Sequence, residues 1–259
     1  IPFALVILSM GMESSYFRFT RRAEEEGGDV TSAKRKVFAT TWGITSLAAT
    51  LFFVVIWALN MPISRAMGEV YVAHPEYVTI VAAIVMLDIW AIIPFARLRE
   101  QGRAMRFVML KALSMLLNLS LAIAFGVAGL YSTSFGVGWV LVANFIASLV
   151  TLIAILPSTD RVAPRIDRAL LSKIFVYSLP LLISGVAGTA NEFIDRQMIK
   201  YIIPDDAMSQ LGVYGAICKI AVVMTLFTQM YRLAAEPFFL SNFSKEQFVE
   251  SNAAALKYF

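Results

Sequence analysis

The chain has 259 residues, 59% of them hydrophobic and 15% charged, with mean hydropathy +0.72 and a net charge of +4. A soluble domain carries about 45–50% apolar and about 25% charged residues. This composition excludes a soluble enzyme, a nucleic-acid-binding domain and a disordered chain, and a single cysteine excludes a disulfide framework.

The apolar residues are grouped in blocks of roughly 20, the length that crosses a hydrocarbon core of about 30 Å. In chain order they cover residues 1–18, 37–60, 77–97, 105–130, 136–157, 173–203 and 209–240. Backbone in lipid must satisfy its own hydrogen bonds, and a barrel would show short alternating segments instead, so the blocks predict helices. Turn residues divide them at Asn60-Met61-Pro62, Ser132-Thr133-Ser134, Pro157-Ser158 and Pro204-Asp205-Asp206. The expected fold is all-α: a polytopic membrane bundle of about seven transmembrane helices. Both ends fall inside patterned segments, so a fragment of a longer polypeptide is expected, with no signal peptide readable.

Basic residues alternate between connections. Arg18, Arg21, Arg22, Lys34, Arg35 and Lys36 follow the first block, Arg97, Arg99, Arg103 and Arg106 the third, and Arg161, Arg165, Arg168 and Lys173 the fifth. The intervening connections hold Arg65, then none, then Lys200. The positive-inside rule places the loops near 19–36, 98–104 and 158–172 in the cytoplasm. Orientation and contact with anionic lipid account for these basic loops better than a specific ligand does.

Soluble-enzyme chemistry is absent from the pattern: there is no phosphate-cradling glycine loop, paired zinc ligands or nucleophile elbow. No enzyme, metal or covalent intermediate is expected. His74, between Ala73 and Pro75, reads as a solvated loop histidine, and Cys218 as a small core residue. Asn118-Leu119-Ser120 has the form of a glycosylation acceptor but falls inside a helix.

The informative residues are ionisable groups within the blocks, each costing about 2.5–3.5 kcal/mol at the bilayer centre unless paired or hydrated. Asp88 falls close to the middle of the third block and has no cation one turn away. Lys111 lies a turn or two inside the fourth, and with Ser114 and Asn118 it forms a polar stripe. Glu192, Asp195 and Arg196 share one face at i, i+3 and i+4, which Gly185 and Gly188 continue as a close-packing stripe. Lys219 and Gln229 lie along the seventh block, ending near Arg232 and Glu236. These groups either pair between helices, for example Glu192 or Asp195 with Lys219, or face a water-filled cavity. Pro94 is expected to kink its helix and free a carbonyl.

The first block ends in Met12-Glu13-Ser14-Ser15-Tyr16-Phe17-Arg18-Phe19 and the seventh in Arg232-Leu233-Ala234-Ala235-Glu236-Pro237-Phe238-Phe239. Each sets an acid and a base about one turn apart, with two small residues and then aromatics. This echo suggests a parallel repeat with a period of six helices, a recurrent transporter design with its site between halves.

Several stretches resemble the polysaccharide flippases of the MOP (multidrug/oligosaccharidyl-lipid/polysaccharide) exporter superfamily. They are Met10-Gly11-Met12-Glu13 through Phe19, Leu87-Asp88 through Arg99, Tyr177-Ser178-Leu179-Pro180 with Asn191-Glu192-Phe193-Ile194-Asp195-Arg196, and Leu211-Gly212-Val213-Tyr214-Gly215 leading to Ala235-Glu236-Pro237-Phe238-Phe239. The chain is most similar to the Wzx-like oligosaccharide flippases of Bacteroidetes-type bacteria, over essentially its whole length. The resemblance implies family helices two to eight of a two-lobed 6+6 bundle around a central cavity. Residues 1–157 would be a partial N-terminal lobe, 158–172 a cytoplasmic linker and 173–259 the start of the second lobe. The family's first helix often contributes cavity cations, and here it is expected to be missing.

The implied function is alternating-access transfer of an undecaprenyl-pyrophosphate-linked oligosaccharide across a bacterial inner membrane. Partners would be the lipid-linked oligosaccharide, membrane lipids, a polysaccharide polymerase and glycosyltransferases, and no nucleic acid. Lys111, Asn118, Arg196, Lys219 and Gln229 are the candidate substrate contacts. Glu13, Asp88, Glu192 and Asp195 are candidates for sugar contact or coupling, and Arg18, Arg232 and Glu236 for a structural ion pair or gate. No cofactor is expected, and proton or sodium coupling is left open. The alternatives are a cation-coupled drug exporter of the same superfamily and a seven-helix receptor or scaffold.

Overall fold

The computed structural model describes residues 2–27, 29–159, 162, 165–202, 210, 212–221 and 223–224. Every regular element among them is a helix. The chain divides into two compact units, Ile1–Ala190 and Asn191–Phe259. Residues 158–172, expected as a linker, fall within the first.

The first unit opens with α1 (Pro2–Ser9) and α2 (Met12–Glu26). The sequence suggested one span here, but Met10 and Gly11 take φ of 50° and 64°, which breaks the helix. A Cβ on Gly11 would stand 3.0 Å from the Leu181 Cβ, so glycine serves both the left-handed backbone and the close approach. Below the break α2 is amphipathic. Met12, Ser15, Tyr16, Thr20 and Ala23 are buried, while Arg21–Glu25 and Arg22–Glu26 pair across one turn on the exposed face.

Asp29 caps α3 (Val30–Ala58) by accepting a hydrogen bond from the Ser32 N–H at 3.1 Å. The helix therefore starts seven residues before its apolar block and carries Lys34, Arg35 and Lys36 on its first turns. Two short helices, α4 (Asn60–Met67) and α5 (Glu69–Ala73), lead into α6 (Glu76–Glu100). A turn at Gln101–Arg103, with Gly102 at φ +69°, reverses the chain into α7 (Ala104–Val127). After it come α8 (Gly138–Ile155) and α9 (Arg168–Ile202). Asp167 opens α9 by accepting from the backbone N–H groups of Ala169 and Leu170. The last described helix, α10 (Gly212–Ala221), belongs to the second unit.

Among the described residues, five helical stretches are long and apolar enough to cross a membrane: Val30–Ala58, Glu76–Glu100, Ala104–Val127, Gly138–Thr159 and Arg168–Asn191. Most of the expected seventh block lies outside the described residues.

The first unit is organised around α6, which contributes to all three apolar clusters. Ile93 and Ala96 pack with Met12, Tyr16, Phe38 and Trp42, and Leu87, Phe95 and Leu98 with Leu152 and Ile155; Val85 and Ile89 close on Ala49. Pro94 sits inside α6 without breaking it. Proline has no N–H, so the carbonyl four residues earlier, on Trp90, loses its helical donor. The Trp42 indole N–H of α3 supplies one at 3.0 Å, and the Trp90 indole donates back to the Ser46 carbonyl at 3.2 Å. The freed carbonyl expected from the sequence is thus consumed as a clamp between α3 and α6.

At one end of the unit Tyr77, Phe135, Trp139 and Phe125 form a chain of edge-to-face contacts. His74 stacks on Tyr77 with ring centroids 4.9 Å apart, and its Nδ1 lies 2.9 Å from Glu76 Oε1. It is therefore a partnered histidine rather than the solvated one the sequence suggested.

Candidate functional site

A cavity of about 520 Å³ opens between α1, α2, α6, α7 and α8. Its polar lining comes from Glu13 of α2, Asp88 and Arg99 of α6, Lys111 and Ser114 of α7, and Asn144, Ser148 and Thr151 of α8. Leu5, Ala91, Ile92, Phe95, Phe107 and Met115 form the apolar part.

Asp88 is the middle residue of α6, twelve positions from each end, or about 18 Å at the helical rise. Its Oδ1 accepts a hydrogen bond from Ser148 Oγ at 2.8 Å. A carboxylate at that depth needs donors or water; α8 supplies one through Ser148, and Asn144 and Thr151, at i−4 and i+3 from it, line the same cavity. Lys111 lies across the cavity, its Nζ 4.4 Å from the centroid of the Phe95 ring. Phe95 faces the same space from α6, so the ammonium is held by a π face. Glu13 pairs with Arg99, whose guanidinium also lies 5.2 Å from Phe107 and 5.3 Å from Phe17. Two acids and two bases therefore share one space, and their formal charges cancel.

Three of the sequence candidates, Glu13, Asp88 and Lys111, converge here. Asn118, two turns along α7 from Lys111, lies outside the cavity. Glu13 pairs with Arg99, and Arg18, a candidate for an ion pair or gate, lies over the Tyr177 ring at 4.1 Å. In the second unit Glu192, Asp195 and Arg196 fall on α9 at the spacing of one helix face. Asp195 accepts a hydrogen bond from Tyr214 Oη at 3.1 Å, so its partner is a tyrosine rather than Lys219, which is exposed on α10. Gln229, Arg232 and Glu236 lie outside the described residues.

Sequence reasoning missed Arg99, Asn144, Ser148 and Thr151. Arg99 was counted with the basic loop, although it is still on α6. The α8 triplet carried a readable signal in its i, i+4, i+7 spacing. Among the described residues no group of three or more His, Cys, Asp or Glu side chains is placed to hold a metal ion.

A second polar cluster ties the ends of α2, α3 and α6. Lys34 pairs with Glu24 and, at 2.5 Å, with Glu100, which also accepts from Tyr16 Oη at 3.3 Å. Lys34 precedes the apolar run of its helix. The Lys34 ammonium donates to both carboxylates, so one cation ties Glu24 of α2 to Glu100 of α6. Nearby, Arg97 is buried, donates to the Thr159 carbonyl at 3.1 Å and stacks over Phe38.

Comparison with known proteins finds no matching family model, no matching curated protein and no matching solved structure.

Proposed function

We propose that the chain is the N-terminal lobe and the start of the second lobe of a two-lobed MOP-type flippase in a bacterial inner membrane. On this reading residues 158–172 connect the lobes on the cytoplasmic side. The cargo is an undecaprenyl-pyrophosphate-linked oligosaccharide, such as an O-antigen or exopolysaccharide repeat unit, carried from the inner to the outer leaflet by alternating access. The observation that carries the reading is the mixed-charge cavity that holds Asp88, at the middle of α6, and Lys111, about two turns into α7. A pyrophosphate-sugar headgroup cannot cross hydrocarbon unaided, because each charge and hydroxyl would lose its water. A cavity offering both donors and acceptors can replace that water while the polyprenyl tail stays in lipid.

In this mechanism Lys111 meets phosphate oxygens when the headgroup enters, since a charge-assisted bond offsets the buried anion. Arg99 exchanges Glu13 for phosphate in the same way. Asp88, fixed by Ser148, accepts from sugar hydroxyls or takes up a coupling proton or sodium ion. Arg196, Lys219 and Gln229 are assigned to substrate contact, and Glu192 and Asp195 to coupling, in the second lobe. The balanced charge favours this cargo over the lipophilic cations of a drug exporter, which call for an acidic, aromatic cavity.

The test is surface polysaccharide measured in cells carrying Asp88→Asn or Lys111→Gln in the full-length protein at matched membrane levels. Both substitutions are expected to cut export at least tenfold, a loss of about 1.4 kcal/mol, with lipid-linked oligosaccharide accumulating inside. Full export by both variants overturns the reading. Changed drug sensitivity with normal polysaccharide would assign the drug exporter instead.

A further inference from the structure

Away from that cavity, α2 and the first turns of α9 run antiparallel and nearly touch. The Ser15 and Ser178 hydroxyls are 2.6 Å apart and buried, and Gly11 backs onto Leu181. Beside this seam lies a groove of about 610 Å³, lined by Arg18, Phe19 and Arg22 on one side and by Lys173, Val176, Tyr177, Pro180 and Leu181 among others on the opposite side. Its composition is graded. Arg22 and Lys173 are the cations toward the start of α9, and Arg18 stands a turn further along, over Tyr177; along α9 from Lys173 the lining becomes Val176 and Tyr177, then Pro180 and Leu181. That progression spans about 12 Å of helix.

The cations at the mouth are not all neutralised. Arg22 is paired with Glu26 at 2.6 Å. Arg18 rests on the Tyr177 ring, and among the described residues neither it nor Lys173 forms an ion pair. The apolar end is open to the side, with Val176 76% exposed on a stretch apolar enough to sit in hydrocarbon. Arg18 and Lys173 are 155 residues apart, yet each marks the border of an apolar block, so both lie at the depth of lipid headgroups.

We infer that the α2–α9 groove binds one anionic phospholipid of the surrounding bilayer. Its phosphodiester sits between Arg18 and Lys173, and an acyl chain lies along Val176, Pro180 and Leu181. Charge complementarity selects the headgroup, and the apolar floor selects a lipid over free phosphate, which would leave that floor uncovered. The bound lipid bridges two helices that the chain itself joins through small residues. Its occupancy does not depend on what the protein transports.

The test is native mass spectrometry of the purified full-length protein in detergent, titrated with phosphatidylglycerol or phosphatidylcholine. Wild type is expected to hold one phosphatidylglycerol that Arg18→Gln/Lys173→Gln binds about thirtyfold more weakly, while Arg18→Lys/Lys173→Arg retains it. Arg103→Gln/Arg106→Gln, on the α6–α7 side, is expected to bind as wild type does. Should the double Gln variant not fold, Lys173→Gln alone carries the test, with an expected loss of about fivefold. Equal binding by wild type and the Gln variant overturns the proposal. So does equal binding of phosphatidylcholine, or displacement by millimolar inorganic phosphate, which would reassign the groove to a free anion.

Discussion

α6 and α7 are neighbours of nearly equal length, 25 and 24 residues, and both are apolar enough to cross a membrane. Thirteen residues of α6 are buried, whereas Leu110 alone is buried in α7. The difference is not one of apolarity, because lipid tails are as apolar as leucine and give no hydrophobic drive for helices to associate. It lies in which residues face a neighbouring helix and in backbone chemistry. On α6, Ala82, Ala91 and Ala96 are buried, so neighbouring backbones come close, and the carbonyl freed by Pro94 recruits Trp42. On α7, long side chains such as Met105, Met109 and Leu116 point outward. What α7 turns toward the cavity is Phe107, Lys111, Ser114 and Met115. The core helix and the wall helix thus build one cavity on different terms.

The most direct way to break this contrast is to truncate one apolar residue on each helix. Ile89 of α6 is fully buried and Leu116 of α7 is 62% exposed. Ile89→Ala is expected to destabilise the bundle by about 2 kcal/mol, the low end for buried truncations, because in lipid mainly the packing term is lost. Leu116→Ala is expected to stay within about 0.5 kcal/mol. Reversible unfolding of the purified chain in mixed micelles measures both. Equal losses would mean that α7 is covered in the assembled protein.

The next effect isolates the clamp at Pro94. Trp42→Phe keeps the ring but leaves the Trp90 carbonyl without its donor, which is expected to cost about 1–3 kcal/mol. In a Pro94→Ala background residue 94 has an N–H again, so the same substitution should cost at least about 0.5 kcal/mol less. An additive cycle would show that the indole contributes packing only.

How far these features were legible differs for fold and site. Of the seven apolar blocks, five coincide with membrane-competent helices among the described residues, because in lipid block length is set by one dimension, the hydrocarbon thickness. Block length could not show the break at Met10–Gly11, which depends on Leu181 and Ser178 arriving from far along the chain. Asp88 was legible as an outlier of depth, and Lys111 as part of a stripe. That the two share a cavity was not, since helix order does not reveal which faces meet. Arg97 and Arg99 show the same limit: both count as loop charges by position, but one is buried under Phe38 and the other reaches Glu13.

The contrast also extends to that break. Gly11→Ala would hold a Cβ at φ +64°, 3.0 Å from the Leu181 Cβ, and is expected to cost about 1–2 kcal/mol for the left-handed backbone alone. In a Leu181→Gly background, which removes that Cβ, the cost of Gly11→Ala should fall only by the part that comes from the clash. Unfolding midpoints of the single and double variants separate the two contributions, and complete recovery would mean that the backbone strain is negligible.

The smallest expected effect compares two serines that line the same cavity. Ser148 of α8 is 7% exposed and donates to Asp88 at 2.8 Å; Ser114 of α7 is half-buried. Removing the Ser148 hydroxyl leaves a mid-helix carboxylate with one donor fewer, so Ser148→Ala is expected to destabilise by about 1 kcal/mol. Ser114→Ala should stay within about 0.5 kcal/mol. The two effects should also differ in their dependence on Asp88. In an Asp88→Asn background the acceptor is uncharged, and the cost of Ser148→Ala should fall while that of Ser114→Ala stays unchanged. A Ser148 effect that ignores residue 88 would mean that water, rather than α8, carries the charge of Asp88.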